Sequence, residues 1–255
     1  MYSIKHPFRT KKSLLLIIFL LSWGCEKQPI QPVTLDSTLK THYQQIQGER
    51  TGGARVQLQQ YMERNGESPQ PLFLMGLSYH KEKKYTKAVE WFEKSTNSEG
   101  DTSQYPPTLH FLGWSYYYLG EIDEARKVFK KFLQLYPNEG DSLFALGLLA
   151  VESGNYEKAE GFYLKSIAAQ EKNPKGIAKA KARLGDVRVF ENKVNKARDL
   201  YLEALTLDPD LYEAWFRLSN TYRNEDMSLF REYLLKSKEA QKRFSQNIHN
   251  TSFPE

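Results

Sequence analysis

Residues 107–137 read PTLHFLGWSYYYLGEIDEARKVFKKFLQLYP, and the spacing within them decides the fold. Gly113 is followed, after eleven residues, by Ala125, and after three more by Phe129. The same interval recurs as Gly76–Ala88–Phe92, Gly147–Ala159–Tyr163 and Gly185–Ala197–Tyr201. Two small residues and a ring at these places suit the crossing of two antiparallel helices. The small residues let the backbones approach, and the ring fills the wedge beside them. Successive glycines lie 37, 34 and 38 residues apart, so one unit is about 34 residues plus short inserts.

Position by position, the chain resembles the tetratricopeptide repeat. The second unit carries Leu109, Leu112, Gly113, Tyr116, Ala125, Phe129 and Pro137, with Leu109 in the place of the family's Trp. The first unit has Leu72, Met75, Gly76, Tyr79, Ala88 and Phe92. The third has Leu143, Leu146, Gly147, Ala150, Ala159 and Tyr163. In the fourth, Leu184, Gly185, Ala197, Tyr201, Ala204 and Pro209 match, while Lys181 and Arg188 replace two usual apolar residues. A fifth unit begins with Trp215, Leu218, Ser219 and Tyr222, then departs where Arg231 takes the place of a small residue. The resemblance covers residues 69–243, about five units. It implies an all-α, right-handed superhelical solenoid whose business is binding and not catalysis.

Ahead of this array the chain opens with a leader. Lys5, Arg9, Lys11 and Lys12 precede an apolar run, Leu14 to Leu21, then Ser22-Trp23-Gly24 and Cys25. The run is too short to span a bilayer, which takes about 20 apolar residues. Residues 1–24 therefore read as a secretory signal peptide. Cys25 is the single cysteine of the chain, and its position resembles the lipid-accepting residue of a bacterial lipoprotein. Trp23 departs from that family's pattern, and Ser22 and Gly24 also suit an ordinary signal peptidase, so lipidation and plain secretion both stand. Glu26, where an Asp commonly retains lipoproteins in the inner membrane, favours an outer-membrane anchor on the non-cytoplasmic side.

The net charge of +5 loses its apparent meaning once the leader is set aside. Four of the 36 basic residues and none of the 31 acidic ones lie in residues 1–24, so the body carries 32 against 31. A near-neutral body gives no reason to expect a nucleic-acid partner. One cysteine also excludes an intramolecular disulfide, so packing must stabilise the fold.

Residues 25–35, with two prolines, read as a tether from the lipid. Residues 36–68 read as a degenerate repeat, with a helix capped by Asp36, a break at Gly52-Gly53, and a second helix from Ala54 to Asn65. Ala54 and Leu58 each lie 34 residues before Ala88 and Phe92. Breakers mark three of the intra-unit turns, at Leu119-Gly120, Ser153-Gly154 and Glu191-Asn192. Inserts around 100–105 and 173–177 read as edge loops, and residues 244–255 as a flexible tail.

The resemblance implies a concave face lined by the first helix of each unit, at positions three before the glycine and one, four and five after it. These are Phe73, Leu77 and His80; His110, Trp114, Tyr117 and Tyr118; Phe144, Leu148 and Val151; Asp186 and Phe190; and Phe216, Asn220 and Arg223. Such a groove suits an extended or helical peptide with bulky apolar anchors. The same aromatics can equally pack against neighbouring helices. Phe73 and Leu77 stand where some family members clamp a terminal carboxylate with Lys and Asn, which argues against that kind of receptor.

Catalytic and metal patterns are thin. His80 and His110 could approach from adjacent units, but two histidines without a third ligand make a poor zinc site. No nucleophile elbow or phosphate loop occurs. The sequence thus predicts a lipid-anchored, protein-binding scaffold of the cell envelope, without cofactor, small-molecule substrate or enzymatic activity. A soluble periplasmic chaperone or carrier for apolar peptides is the alternative.

Overall fold

A computed structural model describes residues 35, 37–97, 105 and 107–250, with side chains up to 246. The leader, Cys25, most of the tether, the Asp36 cap, residues 98–104 and the last five residues lie outside the described residues. Twelve helices follow one another among the described residues, and no strand occurs there. The first hairpin is α1 (Ser37–Gln47) and α2 (Thr51–Asn65). Five more follow: α3 (Pro69–Lys81) with α4 (Tyr85–Asn97), α5 (Pro107–Leu119) with α6 (Ile122–Leu135), α7 (Gly140–Glu152) with α8 (Tyr156–Ala169), α9 (Pro174–Phe190) with α10 (Val194–Leu207), and α11 (Tyr212–Asn220) with α12 (Met227–Asn250). Each helix packs on the next, and first helices of successive units also touch, as α3 does α5 and α7 does α9. This is an all-α solenoid of helix-turn-helix units, held by neighbour contacts alone.

The crossings follow from the spacing that opened the sequence. A Cβ placed on Gly76 would stand 2.5 Å from the Phe92 ring, and one on Gly113 2.8 Å from Phe129. On Gly147 it would stand 2.4 Å from Tyr163, and on Gly185 2.6 Å from Tyr201. All four rings and all four alanines of the pattern are buried. Burying a large apolar side chain contributes about 1.5–3 kcal/mol, so each ring adds that order of stability to its hairpin.

The turns repeat as strictly. Five residues before each of those alanines stands a residue in the left-handed region: Lys83 (φ 58°), Gly120 (80°), Gly154 (69°) and Asn192 (58°). The following N–H reaches back into the first helix in every unit: Lys84 to Tyr79 O at 2.9 Å, Glu121 to Tyr116 O at 3.0 Å, Asn155 to Ala150 O and Lys193 to Arg188 O at 2.8 Å. These bonds satisfy carbonyls that the helix end would leave orphaned. Lys83 does this work without glycine's freedom, and its residue type gave no turn signal.

Three expectations change. Gly52-Gly53 does not break the chain but lies in the first turn of α2, with open space around the positions of the missing side chains. The segment 173–177 is not a loop but the first turn of α9. Asn173 caps that helix, its side-chain oxygen accepting from Gly176 N at 3.1 Å, and Pro174 takes the first position, where a missing N–H costs nothing. The tail is shorter than read, because α12 runs on to Asn250.

The two polar departures of the fourth unit become bridges. Lys181 pairs with Glu203 of α10 at 2.5 Å, and Arg188 pairs with Glu160 of α8 and with Glu191 at 2.8 Å. In the fifth unit a longer turn, 221–226, precedes α12. Its buried stripe includes Ser237 and Ala240, with Tyr233 packed on the same core, while Arg231 points to solvent.

Candidate functional site

The inner face of the solenoid carries two adjoining cavities. One, of about 590 Å³, is lined by Tyr117 of α5, Leu148, Val151 and Glu152 of α7, Arg183, Asp186, Val189 and Phe190 of α9, and Arg217 and Asn220 of α11. The rings of Tyr163 and Tyr201 reach it from α8 and α10. The other, of about 480 Å³, is lined by Trp114, Tyr117, Tyr118, Phe144 and Leu148, with Asp141, Lys179 and Glu213 among its polar groups. Tyr117, Leu148, Arg183 and Arg217 border both, so the two lie side by side along one groove-like face.

Nine of the residues picked from sequence meet here: Trp114, Tyr117, Tyr118, Phe144, Leu148, Val151, Asp186, Phe190 and Asn220. Tyr118 is 52% exposed and stacks on Tyr85 at 4.7 Å and on Trp114 at 5.9 Å. Trp114 in turn lies edge-on to Tyr117 at 5.5 Å and to Phe129 at 5.5 Å. The result is an aromatic platform, anchored in the core at one end and wet at the other. Phe190 is 57% exposed and stacks on Tyr156 at 4.7 Å.

The first unit does not contribute as read. Phe73 is buried under Tyr105, 4.7 Å away, and against Phe111 of the next unit at 5.8 Å. Leu77 is buried in the same core as Leu39 and Leu58, beneath the N-terminal hairpin. Both belong to the core rather than to an open surface. Phe216 and Arg223 are exposed but border neither cavity; Arg223 instead lies over the Phe230 ring at 5.3 Å.

The histidines serve contacts between units. His80 Nδ1 lies 2.9 Å from Ser115 Oγ, and its ring meets Tyr85 and Phe111 edge-on, both at 5.4 Å. Burial, helped by the charges of His110 and Lys81, brings its pKa down to about 4. His110 lies 3.4 Å from Ser142 Oγ and 3.8 Å from a Glu139 carboxylate oxygen. Burial lowers its pKa against the opposing pull of Glu139 and Asp141. Among the described residues no group of three or more His, Cys, Asp or Glu is placed to hold a metal ion.

Sequence reasoning placed Asp186 on this face but missed the two arginines that make it the polar centre of the groove. Asp186 accepts from Arg183 Nη1 at 3.2 Å, from Arg217 Nε at 2.9 Å and from the Tyr201 hydroxyl at 2.8 Å. Arg183 and Arg217 stand two residues before the small residue of their units, a place the family pattern does not assign to the groove. Their recurrence exactly one 34-residue repeat apart was the available signal.

With this geometry in hand, the known proteins fall into place. Sequence signatures described as tetratricopeptide repeat match residues 69–102, 112–174 and 178–211, together about half of the chain. The chain belongs to the tetratricopeptide-repeat family. No curated protein gives a significant sequence match. Among solved structures, Pseudomonas aeruginosa PilF aligns with a TM-score of 0.66 at 18% identity, over 83% of this chain and 96% of PilF. The C-terminal part of a tetratricopeptide-repeat protein from Cytophaga hutchinsonii gives 0.60 at 16% identity, over 79% of this chain and 78% of that one. YrrB, described as a tetratricopeptide-repeat protein with an unusual peptide-binding site, gives 0.52 at 19% identity, over 77% of this chain and 98% of YrrB. At these identities the likeness is one of fold.

Proposed function

We propose that this tetratricopeptide-repeat protein is a scaffold that holds a segment of a partner protein in its inner groove, tethered to a membrane of the bacterial envelope through Cys25. The observation that carries the reading is the pair of adjoining cavities between α5, α7, α9 and α11, with half-exposed aromatic and apolar side chains along them. Trp114, Tyr117 and Tyr118 offer large, stiff contact area at low entropic cost, the usual material of binding hot spots. The comparison with YrrB adds that this fold can carry a peptide-binding site. The anchor rests on sequence: a basic segment, a short apolar run and a single cysteine directly after it. No helix among the described residues is long and apolar enough to cross a membrane.

Two measurements test the two halves of this reading. Growth with labelled palmitate should place label on the protein and lose it in Cys25→Ala; an unlabelled wild type, released with the soluble fraction, would replace the anchored scaffold by a soluble carrier. Trp114→Ala and Tyr118→Ala should each weaken partner binding by about 2 kcal/mol or more while leaving helicity intact. Unchanged binding in both would move the partner site off the inner face.

A further inference from the structure

At the centre of the groove, hydrogen-bond supply exceeds demand. Asp186 is the one carboxylate that accepts from Arg183, Arg217 and the Tyr201 hydroxyl at once, far fewer acceptor sites than the two guanidiniums have N–H groups. Both guanidiniums keep N–H groups to which no hydrogen bond is assigned among the described residues. Beside them the Tyr163 hydroxyl is buried and has no hydrogen-bond partner, although the ring borders the cavity. Burial raises its ionisation above the ordinary tyrosine range, so it remains an O–H donor. A buried hydroxyl left unpaired is costly, so such a group calls for a partner.

We infer that Arg183, Arg217 and Tyr163 form a subsite for the carboxylate of an internal Asp or Glu in an extended partner segment, next to a bulky apolar residue of that segment. The inference rests on the groove reading and names its chemistry. Donors in excess around a single carboxylate select an acceptor-only group, and a guanidinium fork matches a carboxylate. The apolar neighbour finds Leu148, Val151 and Phe190 along the same cavity. The groove continues past the arginines in both directions, since they border both cavities, so the bound chain can continue on either side. The flanking charges sharpen the pattern. Glu152 borders one cavity, and Asp141 and Glu213 border the other, with Lys179 beside them. The favoured segment therefore carries one acid at its centre and neutral or basic residues around it.

The probe is a library of N-acetylated, C-amidated nonapeptides, which lack a terminal carboxylate, offered to the full chain in detergent. Bound peptides should share a single Asp or Glu close to an aromatic or large aliphatic residue. Changing that acid to its amide should weaken binding about tenfold or more. Tyr163→Phe should weaken it roughly three- to tenfold with no loss of melting temperature, because the hydroxyl it removes bonds nothing in the free protein. Asp186→Asn, which frees the arginines, should tighten it. Selection of apolar peptides without an acid would overturn the inference while leaving the groove reading intact. So would acidic peptides that bind equally to the Arg183→Gln, Arg217→Gln double variant, or binders that emerge only when the library carries free C-termini. An absence of any bound peptide would overturn both.

Discussion

Two phenylalanines marked by the same repeat logic meet opposite fates. Phe73, in the first unit, is 1% exposed and wedged between Tyr105, Phe92 and Phe111. Phe190, in the fourth, is 57% exposed at the edge of a cavity, with Tyr156 as its stacking partner. The position one after the glycine shows the same drift: Leu77 is buried, Trp114 and Leu148 are half-buried, and the fifth unit's Asn220 is exposed. Repeat register says which side chains face inward. Whether that face is open depends on what packs over it, and over the first unit this is the hairpin α1–α2 and Tyr105.

The comparison breaks most sharply under truncation. Phe73→Ala should cost about 3–5 kcal/mol of stability, read as a drop in denaturation midpoint, because it empties a packed site. A small loss there would show that the first unit is open after all.

His80 offers a pH handle on the same closed region. The unfolded chain takes up its proton near pH 6.5, the folded chain only near 4, so the unfolded state binds more protons in between. Stability should fall as pH is lowered from 6.5 to 4, by up to about 3 kcal/mol. His80→Gln should flatten the dependence of melting temperature on pH across this window; an unchanged slope would place the titrating group elsewhere.

Gly113→Leu tests the crossing itself. Its first side-chain carbon would already stand 2.8 Å from the buried Phe129 ring, so overpacking should cost about 1–3 kcal/mol and lower the melting temperature. Unchanged melting would refute the register of all four crossings.

Lys83→Gly should act in the other direction. The residue sits at φ 58° in a turn where two of the other three units use glycine, and removing that strain should stabilise by about 1 kcal/mol. A neutral or negative effect would mean that Lys83 contributes a contact that offsets its backbone. Phe190→Ala should move stability least, within about 0.5 kcal/mol, since the ring lies mostly in solvent. A large loss would make it a structural residue and not a surface for a partner.

How much the sequence told depended on whether a position is governed by its own hairpin. Gly76, Gly113, Gly147 and Gly185 were legible because only a missing side chain lets the ring opposite approach, and that constraint is local. Gly120, Gly154 and Asn192 announced their turns by residue type, whereas Lys83 could be found only from its place five before Ala88. Asn173-Pro174 carries a readable helix start, an N-cap followed by proline, which outweighs the loop signal of the same residues. The burial of Phe73 and Leu77 was not legible, because it is imposed by α1, α2 and Tyr105, which lie outside their own hairpin. Asp186 was legible by its register, but Arg183 and Arg217 were not: charged residues on a repeat surface read as solvated until the contact of α9 with α11 brings two units onto one carboxylate.

The central claim, that the open inner face of the later units holds a partner, is tested most directly by site-specific photocrosslinking in intact cells. A benzophenone side chain would be placed at Phe190, on the groove, and at Leu164, which is 49% exposed on α8 and borders neither cavity. The account predicts a discrete adduct from position 190, lost on Trp114→Ala, and none from 164. Adducts from 164 alone, or equal adducts from both positions, would contradict it.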